Sequence, residues 1–328
     1  MTRFSVLDLV PVVEGGSPGE ALDNAAALAK AAEAAGYHRF WVAEHHGMPG
    51  IASAATAVTL AHIGHATSTM RIGSGGIMLP NHSPYVIAEQ FGTLDALFPG
   101  RIDLGLGRAP GADQRIGQML RKDLMRAAEA FPNDVVELDA LFRGDPRLPL
   151  QATPGQGADV ELWILGSSLF GAHLAAMLGL PYAFASHFAP AALDQALALY
   201  RRDFRPSERL DKPHVMAAIN VIAAETDAAA ALLGSSMDQA FVALRTGTPG
   251  RLKPPVEGYR ESLPAPVRAM LESFREASAI GAPATVREAL AAFIARTGAD
   301  ELNFAGSTFD PAARVRSLEM AIGAARGL

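Results

Sequence analysis

Residues 70–108 read MRIGSGGIMLPNHSPYVIAEQFGTLDALFPGRIDLGLGR, and this stretch determines the predicted fold. Two runs rich in aliphatic residues, Met70–Met78 and Arg101–Leu106, flank a segment with helical periodicity, Tyr85–Phe98. The pattern predicts a strand, a helix and a second strand. Because a crossover helix carries the chain back along the sheet, the two strands are expected to be parallel.

The same alternation extends over the whole chain. Further segments with helical periodicity are Ala21–Ala35, Ala52–Ala66, Ala191–Phe204 and Asp227–Leu244. The candidate strands number eight: Phe4–Leu9, His38–Val42, Met70–Met78, Arg101–Leu106, Glu161–Leu165, Tyr182–Ala185, Val215–Ala223 and Glu301–Phe304. Eight such units favour an α/β fold with a closed (β/α)₈ barrel of the TIM type. A doubly wound open sheet usually has fewer strands and a glycine fingerprint after its first strand, which this sequence lacks.

The expected organisation is one domain over residues 1–328, although the length alone would also allow two domains. The regular pattern breaks in two stretches, near 115–156 and near 246–283, which we interpret as loop insertions at the mouth of the barrel. Such loops commonly form lids and substrate pockets. The identity of the substrate therefore depends on the least regular parts of the sequence.

Composition excludes several classes of function. The formal net charge of −6, without a cluster of Lys or Arg, argues against nucleic acid as a partner. No apolar run is long enough for a membrane span and no signal peptide precedes the first strand, so we expect a cytoplasmic protein without a membrane partner. The chain has no cysteine, which excludes disulfides, thiolate metal sites and cysteine nucleophiles.

The second predicted strand ends in Glu44-His45-His46, where catalytic groups of a (β/α)₈ barrel gather. Adjacent residues of an extended strand face opposite sides, so at most one of the two imidazoles points into a site. Metal ligands usually stand two or four residues apart, and we therefore expect no metal here. Two interpretations remain: a histidine that handles a proton or faces a cofactor, and a histidine that only packs and forms hydrogen bonds.

Three other strand ends carry unusual residues. The third ends in Gly73-Ser74-Gly75-Gly76, where glycines would let a flat ligand approach, or would mark a bulge. Arg108 follows the fourth strand and is suited to hold a phosphate. Gly166-Ser167-Ser168 follows the fifth strand just before a predicted helix and forms a second candidate anion cradle. A serine that simply caps this helix is the alternative interpretation.

Taken together, these motifs resemble the bacterial luciferase-like family of flavin-dependent monooxygenases. The resemblance covers nearly the whole chain in the same order, through Val42–His46, Arg71–Pro80, Leu97–Arg108, Gly166–Ser168, Gly281–Pro283 and Thr297–Glu301. It implies a (β/α)₈ barrel that binds reduced FMN delivered by a separate flavin reductase. In that family the reduced flavin reacts with O₂ to give a flavin hydroperoxide, which oxidises a small organic substrate. A homodimer is implied as well.

The resemblance also implies roles for individual residues. His45 corresponds to the catalytic histidine of the family, and Arg108 to the arginine that holds the flavin phosphate. Ser167 corresponds to a serine that assists at the phosphate, within the turn Gly166–Ser168. The family's non-proline cis peptide bond beneath the isoalloxazine ring falls at Gly75-Gly76, a pair that differs from that of luciferase.

Two alternative functions remain open on the same fold. One is an oxidoreductase that transfers a hydride with the deazaflavin F420. The other is a barrel that binds flavin without catalysis, against which the presence of His45 argues. Aldehydes, other small organic molecules and larger metabolites all remain candidate substrates.

Overall fold

The computed structural model of the chain describes residues 1–108, 119–120 and 123–328. Its strands, all paired in parallel, are β1 (Arg3–Asp8), β2 (Arg39–Val42), β3 (Arg71–Met78), β4 (Ile102–Gly107), β5 (Glu161–Gly166), β6 (Tyr182–Phe184), β7 (Val215–Ala223), β8 (Ser278–Gly281) and β9 (Glu301–Ala305). Strands β1 to β7 follow one another around a ring that β9 closes, because β9 pairs with both β7 and β1. The predicted (β/α)₈ barrel and its eight strands are confirmed.

Helices surround the barrel and connect its strands. They are α1 (Pro18–Ala35), α2 (Thr56–Ala66), α3 (Pro84–Leu97), α4 (Leu124–Arg143), α5 (Leu169–Leu178), α6 (Leu193–Asp203), α7 (Asp227–Arg245), α8 (Tyr259–Ser262), α9 (Ala265–Phe274), α10 (Pro283–Thr297) and α11 (Pro311–Ala325). Within the described residues, none of these helices has both the length and the apolar character needed to cross a membrane.

The boundaries of the helices follow from local chemistry. Helix α1 begins with a capping box: the Ser17 side chain accepts a hydrogen bond from the main-chain N–H of Glu20, and the Glu20 carboxylate accepts one from the main-chain N–H of Ser17. It ends at Gly36, whose φ of 92° suits glycine. Helix α2 begins at Thr56 instead of the predicted Ala52, because the main-chain N–H of Ala52 donates to the carbonyl of Val10.

The two predicted insertions contain regular structure. Part of the first, residues 115–118 and 121–122, lies outside the described residues, and helix α4 forms much of the remainder. The second contains helices α8 and α9 and strand β8, which the sequence analysis missed. Strand β8 lies outside the closed ring and pairs with Asn220–Ala223 of β7. It is only four residues long and contains serine and glycine, so its periodicity is too weak to detect.

The interior of the barrel changes in character along its axis. Near the amino ends of the strands, Arg39 pairs with Asp103 and Glu301, all of them buried. Above this charged layer, the indole rings of Trp41 and Trp163 meet edge to face at 5.3 Å. Small and aliphatic residues fill the carboxyl ends of the strands, where the mouth of the barrel lies. The closed amino end therefore leaves the mouth as the place for a ligand.

A segment that we call the strap, residues 246–256, links two sides of the mouth. It leaves the end of α7 and reaches the loop after β1, where the main-chain N–H of Leu252 donates to the carbonyl of Val12 and its carbonyl accepts from the main-chain N–H of Glu14. It then returns to α7, where the main-chain N–H of Val256 donates to Oγ of Ser235. The strap thus covers part of the end of the barrel at which the strands finish.

Candidate active site

The carboxylate of Glu44, just after β2, organises its surroundings. Glu44 is fully buried, and its Oε1 atom lies 2.7 Å from Nε2 of His46 and 2.9 Å from Nε2 of His82. Its Oε2 atom accepts a hydrogen bond from the main-chain N–H of Met78. Burial alone would raise the pKa of Glu44, but the contacts with His82 and Met78 bring that pKa below its usual value. An ionised Glu44 therefore ties the end of β2 to the end of β3.

His45 has surroundings unlike those of its neighbour His46. Whereas His46 is held by Glu44, Nδ1 of His45 is buried and has no hydrogen-bond partner within residues 1–108, 119–120 and 123–328. Burial lowers the pKa of His45, although the carbonyl of Ala43 and the carboxylate of Glu44 act to raise it. His45 is thus mainly neutral at neutral pH and offers a ring nitrogen to a ligand.

His187 is a second imidazole at the mouth, and the sequence analysis missed it. It lies in the turn after β6, and its Nδ1 atom is also buried without a partner in the described part of the chain. Burial, followed by the influence of His45, lowers the pKa of His187 to about 4. The segment Ser186-His187-Phe188, directly after the sixth predicted strand, is the signal that could have revealed it.

Gly75 and Gly76 lie within β3 and are joined by a cis peptide bond, as the resemblance implies. A Cβ atom on Gly75 would lie 2.8 Å from the indole ring of Trp41, and one on Gly76 would lie 2.6 Å from the carbonyl oxygen of Gly105. Packing inside the barrel therefore suffices to require glycine at both positions. The carbonyl of Gly76 also accepts a hydrogen bond from the main-chain N–H of Glu44.

The structure brings Arg108 and the turn Gly166–Ser168 together. The guanidinium carbon of Arg108 lies 4.0 Å from the centre of the Phe170 ring, in the first turn of α5. Ser168 occupies the N-cap position of α5, yet its hydroxyl makes no capping hydrogen bond to the described residues. The interpretation of Ser168 as a side-chain cap is therefore wrong. The guanidinium of Arg108 and the side chains of Ser167 and Ser168 are exposed. They follow the neighbouring strands β4 and β5, beside the uncapped N-terminus of α5.

These groups fit a phosphate monoester. A guanidinium forms charge-assisted hydrogen bonds with phosphate oxygens, and uncapped N–H groups at a helix N-terminus favour an anion. A metal has no comparable site, because no group of three His, Asp or Glu side chains suited to an ion occurs in the described ranges. The mouth thus combines groups that fit an anion with two imidazole nitrogens that have no hydrogen-bond partner among the described residues.

A closed barrel with polar groups at the carboxyl ends of its strands places the chain among the (β/α)₈ barrels. Sequence comparison narrows this class, since the family model for luciferase-like monooxygenases matches residues 2–301. A protein of Escherichia coli strain K12 named luciferase-like monooxygenase is 50% identical over 320 residues, which cover 97% of this chain and 96% of that protein. The chain belongs to the luciferase-like monooxygenase family, and the resemblance inferred from its motifs is confirmed.

Solved structures give the same result for the fold. Apo-MsnO8 has a TM-score of 0.92 and 35% identity, and the match covers 99% of this chain and 98% of that one. An FMN complex of the oxygenating constituent of 3,6-diketocamphane monooxygenase, from a Pseudomonas putida plasmid, has a TM-score of 0.72 at 19% identity and covers 98% and 96%. An F420-dependent secondary alcohol dehydrogenase has a TM-score of 0.73 at 16% identity and covers 99% of both chains. These last two share the fold.

Proposed function

We propose that this chain is a flavin-dependent monooxygenase that uses reduced FMN and O₂ to oxidise a small organic substrate. One observation carries the proposal: Arg108 lies against Phe170 in the first turn of the uncapped helix α5, which follows Gly166–Ser168, at the same end of the barrel as His45. Arg108, Gly166, Ser167 and Ser168 would hold the flavin phosphate. The family assignment adds support, because its members are named monooxygenases.

Bound FMN would supply the two electrons that the reduction of O₂ requires. The chain contributes position and proton handling. His45 presents a buried Nδ1 atom that can donate or accept one proton at an oxygen of the ligand. The strap, tied to the loop after β1 and to α7, would exclude water from the mouth.

We further propose that a separate flavin reductase provides the reduced FMN and that the enzyme acts as a homodimer in the cytoplasm. Val58 on α2 is 72% exposed and Val86 on α3 is 43% exposed. Apolar side chains on two neighbouring helices provide a surface that a second copy could cover. The absence of cysteine agrees with a reducing compartment.

Oxygen uptake tests the proposal. The full chain is mixed with FMN, NADH and a generic flavin reductase, and a panel of aldehydes, ketones and thioethers is added in turn. We expect at least one compound to give an oxygenated product that is not formed by the reductase alone. If FMN binds and no compound is oxygenated, the result favours a non-catalytic flavin-binding barrel over a monooxygenase.

A titration of both cofactors separates the remaining alternative. We expect FMN to bind more tightly than F420 and expect no reduction of F420 when alcohols are added. Tight binding of F420 together with its reduction would replace the monooxygenase by a hydride-transferring oxidoreductase on the same fold.

A further inference from the structure

The turn after β6, which carries His187, is fixed to strand β7. Oγ of Ser186 donates a hydrogen bond to the carbonyl of Ala218, and Nδ2 of Asn220 donates one to the carbonyl of His187 at 2.8 Å. Ala218 and Asn220 both belong to β7. Because these two hydrogen bonds hold the turn, the position of His187 is determined by the barrel itself.

The hydrogen bond from Asn220 places His187 at the inner rim of the mouth. Met216 of β7 and Ala305 of β9 belong to the cluster of side chains inside the barrel. Every second residue of a strand faces the same side, and Asn220 comes four positions after Met216 and pairs with Ala305. The Asn220 side chain therefore faces the interior of the ring, and it holds the carbonyl of His187 there.

Small apolar side chains line the same end of the barrel. The inner cluster includes Ala43 directly after β2, Ala183 in β6 and Ala305 at the end of β9. Alanine leaves space that a larger side chain would fill, and ligand pockets are typically apolar with a few convergent polar groups. The mouth therefore suits a ligand with an apolar body.

His187 presents a polar atom to this end of the barrel. Its Nδ1 atom is buried and has no hydrogen-bond partner in residues 1–108, 119–120 and 123–328. The pKa of His187 is lowered to about 4, mainly by burial, so the ring is neutral at neutral pH and carries one proton. Buried N–H groups without an acceptor are rarer than buried acceptors without a donor. We therefore assign the proton to Nε2 and the acceptor role to Nδ1.

We propose that His187 determines substrate specificity, its Nδ1 atom accepting a hydrogen bond from a hydroxyl or N–H group of an otherwise apolar substrate. Such a donor supplies the partner that the described chain does not provide, whereas a substrate without it leaves Nδ1 unpaired and binds more weakly. His187 transfers no proton in this role. The inference deepens the proposed function and rests on it for the oxidation that follows binding.

Two isomeric probes test the proposed hydrogen bond. Hexanol has a hydroxyl donor, and methyl pentyl ether has the same atoms but no donor. Each is titrated into the FMN-loaded full-length protein while NMR follows the isotope-labelled imidazole of His187. His187→Phe keeps a ring without nitrogen, and His187→Asn offers a side-chain oxygen that can accept near the position of Nδ1. His62→Phe is the control, because His62 is an exposed histidine on α2.

The proposal predicts a preference for the donor. The wild type should bind hexanol at least about tenfold more tightly than methyl pentyl ether, as expected for one hydrogen bond to an atom that otherwise stays buried without a partner. Before titration the Nδ1 signal should be that of an unprotonated nitrogen, and only hexanol should shift it. His187→Phe should lose the preference, His187→Asn should keep part of it, and His62→Phe should match the wild type.

Several results would overturn the proposal. Equal affinities of the wild type for the two isomers would do so without depending on the folding of any variant. A preference that survives in His187→Phe, a protonated Nδ1, or no binding of either probe would do so as well. Failure of FMN to bind would instead contradict the proposed function, and the same titrations on the apoprotein would then decide the role of His187.

Discussion

The two ends of the barrel treat buried polar groups in different ways. At the amino end, Nη1 of Arg39 lies 2.8 Å from Oδ2 of Asp103, and its Nε lies 2.9 Å from Oε1 of Glu301. At the mouth, Nδ1 of His45 and Nδ1 of His187 are buried and lack partners within the part of the chain that the structure describes. At the amino end an opposite charge compensates the buried carboxylates, although Oε2 of Glu301 has no hydrogen-bond partner among the described residues. At the mouth, two imidazole nitrogens lack a described hydrogen-bond partner.

This difference separates residues that affect the stability of the barrel from residues that affect ligand binding or turnover. A buried charge is tolerated when an opposite charge and hydrogen bonds compensate for its lost hydration, so removing one partner at the amino end should destabilise the closed barrel. An open buried nitrogen reduces stability until a ligand satisfies it. Substitutions at the amino end should therefore change folding, and substitutions at the mouth should change binding or turnover.

The largest effect on folding is expected for Arg39→Met. It leaves the buried carboxylate of Glu301 without its arginine partner and that of Asp103 with Arg71 alone, and breaking such a network typically costs about 3–5 kcal/mol. Urea denaturation measures the loss. Arg147→Met is the control, because Arg147 is exposed and pairs with Asp145 at the surface. Its unfolding midpoint should hardly change, and equal midpoints for the two variants would contradict the account of the amino end.

The next effect concerns turnover at the mouth. His45→Ala should lower the turnover of an identified substrate about 10²–10⁴-fold, as expected for loss of a general acid or base, and leave FMN affinity nearly unchanged. His46→Ala should have the smaller effect, because His46 contacts Glu44 and acts only through it. A variant pair in which His46 matters and His45 does not would reverse this assignment of the two imidazoles.

The pH dependence of stability should differ between the two ends. The pKa of His187 is lowered to about 4, so the folded state resists a proton that the unfolded chain accepts below about pH 6.5. Stability should fall as the pH drops from about 6.5 to 4, by about 3 kcal/mol for this group. Burial raises the pKa of Glu301, but Arg39 outweighs it and brings that pKa to about 2. The contribution of ionised Glu301 to the free energy of unfolding should be lost only between about pH 4.5 and 2.

Denaturation of His187→Gln over the same pH range provides the measurement. Between about pH 6.5 and 4 the stability of the variant should depend less on pH than that of the wild type. The two curves should become parallel only below about pH 4, since Glu301 is unchanged. Identical slopes in the upper range would show that His187 is not held neutral by the fold.

Features that depend on local sequence patterns were predicted correctly. Strand and helix periodicity gave the barrel, and the position of Arg108 and Gly166–Ser168 after neighbouring strands led to their placement at one mouth. Strand β8 was missed because it is short and has little β-branched content. The short β6 was predicted from the apolar run Tyr182–Ala185.

Long-range contacts account for what the sequence could not provide. His45 and His187 follow strands on opposite sides of the ring and reach the same mouth, and no spacing along the chain encodes this placement. The difference between His45 and His46 depends on Glu44, whose other partners come from the end of β3. The packing that requires glycine at Gly75 depends on Trp41 from a neighbouring strand.

The central claim is that the mouth binds a flavin through its phosphate, and a binding cycle tests it most directly. FMN and riboflavin, which lacks the phosphate, are titrated into the wild type, Arg108→Ala and Arg245→Ala. Arg245 is a matched control, because it too packs on a phenylalanine ring near the mouth. Its guanidinium carbon lies 5.0 Å from the centre of the Phe188 ring. Arg108→Ala should weaken FMN binding by about 1.5–3 kcal/mol, or about 10–150-fold, and should leave riboflavin binding nearly unchanged. Unchanged FMN affinity in Arg108→Ala, or an equal loss for riboflavin, would contradict the account.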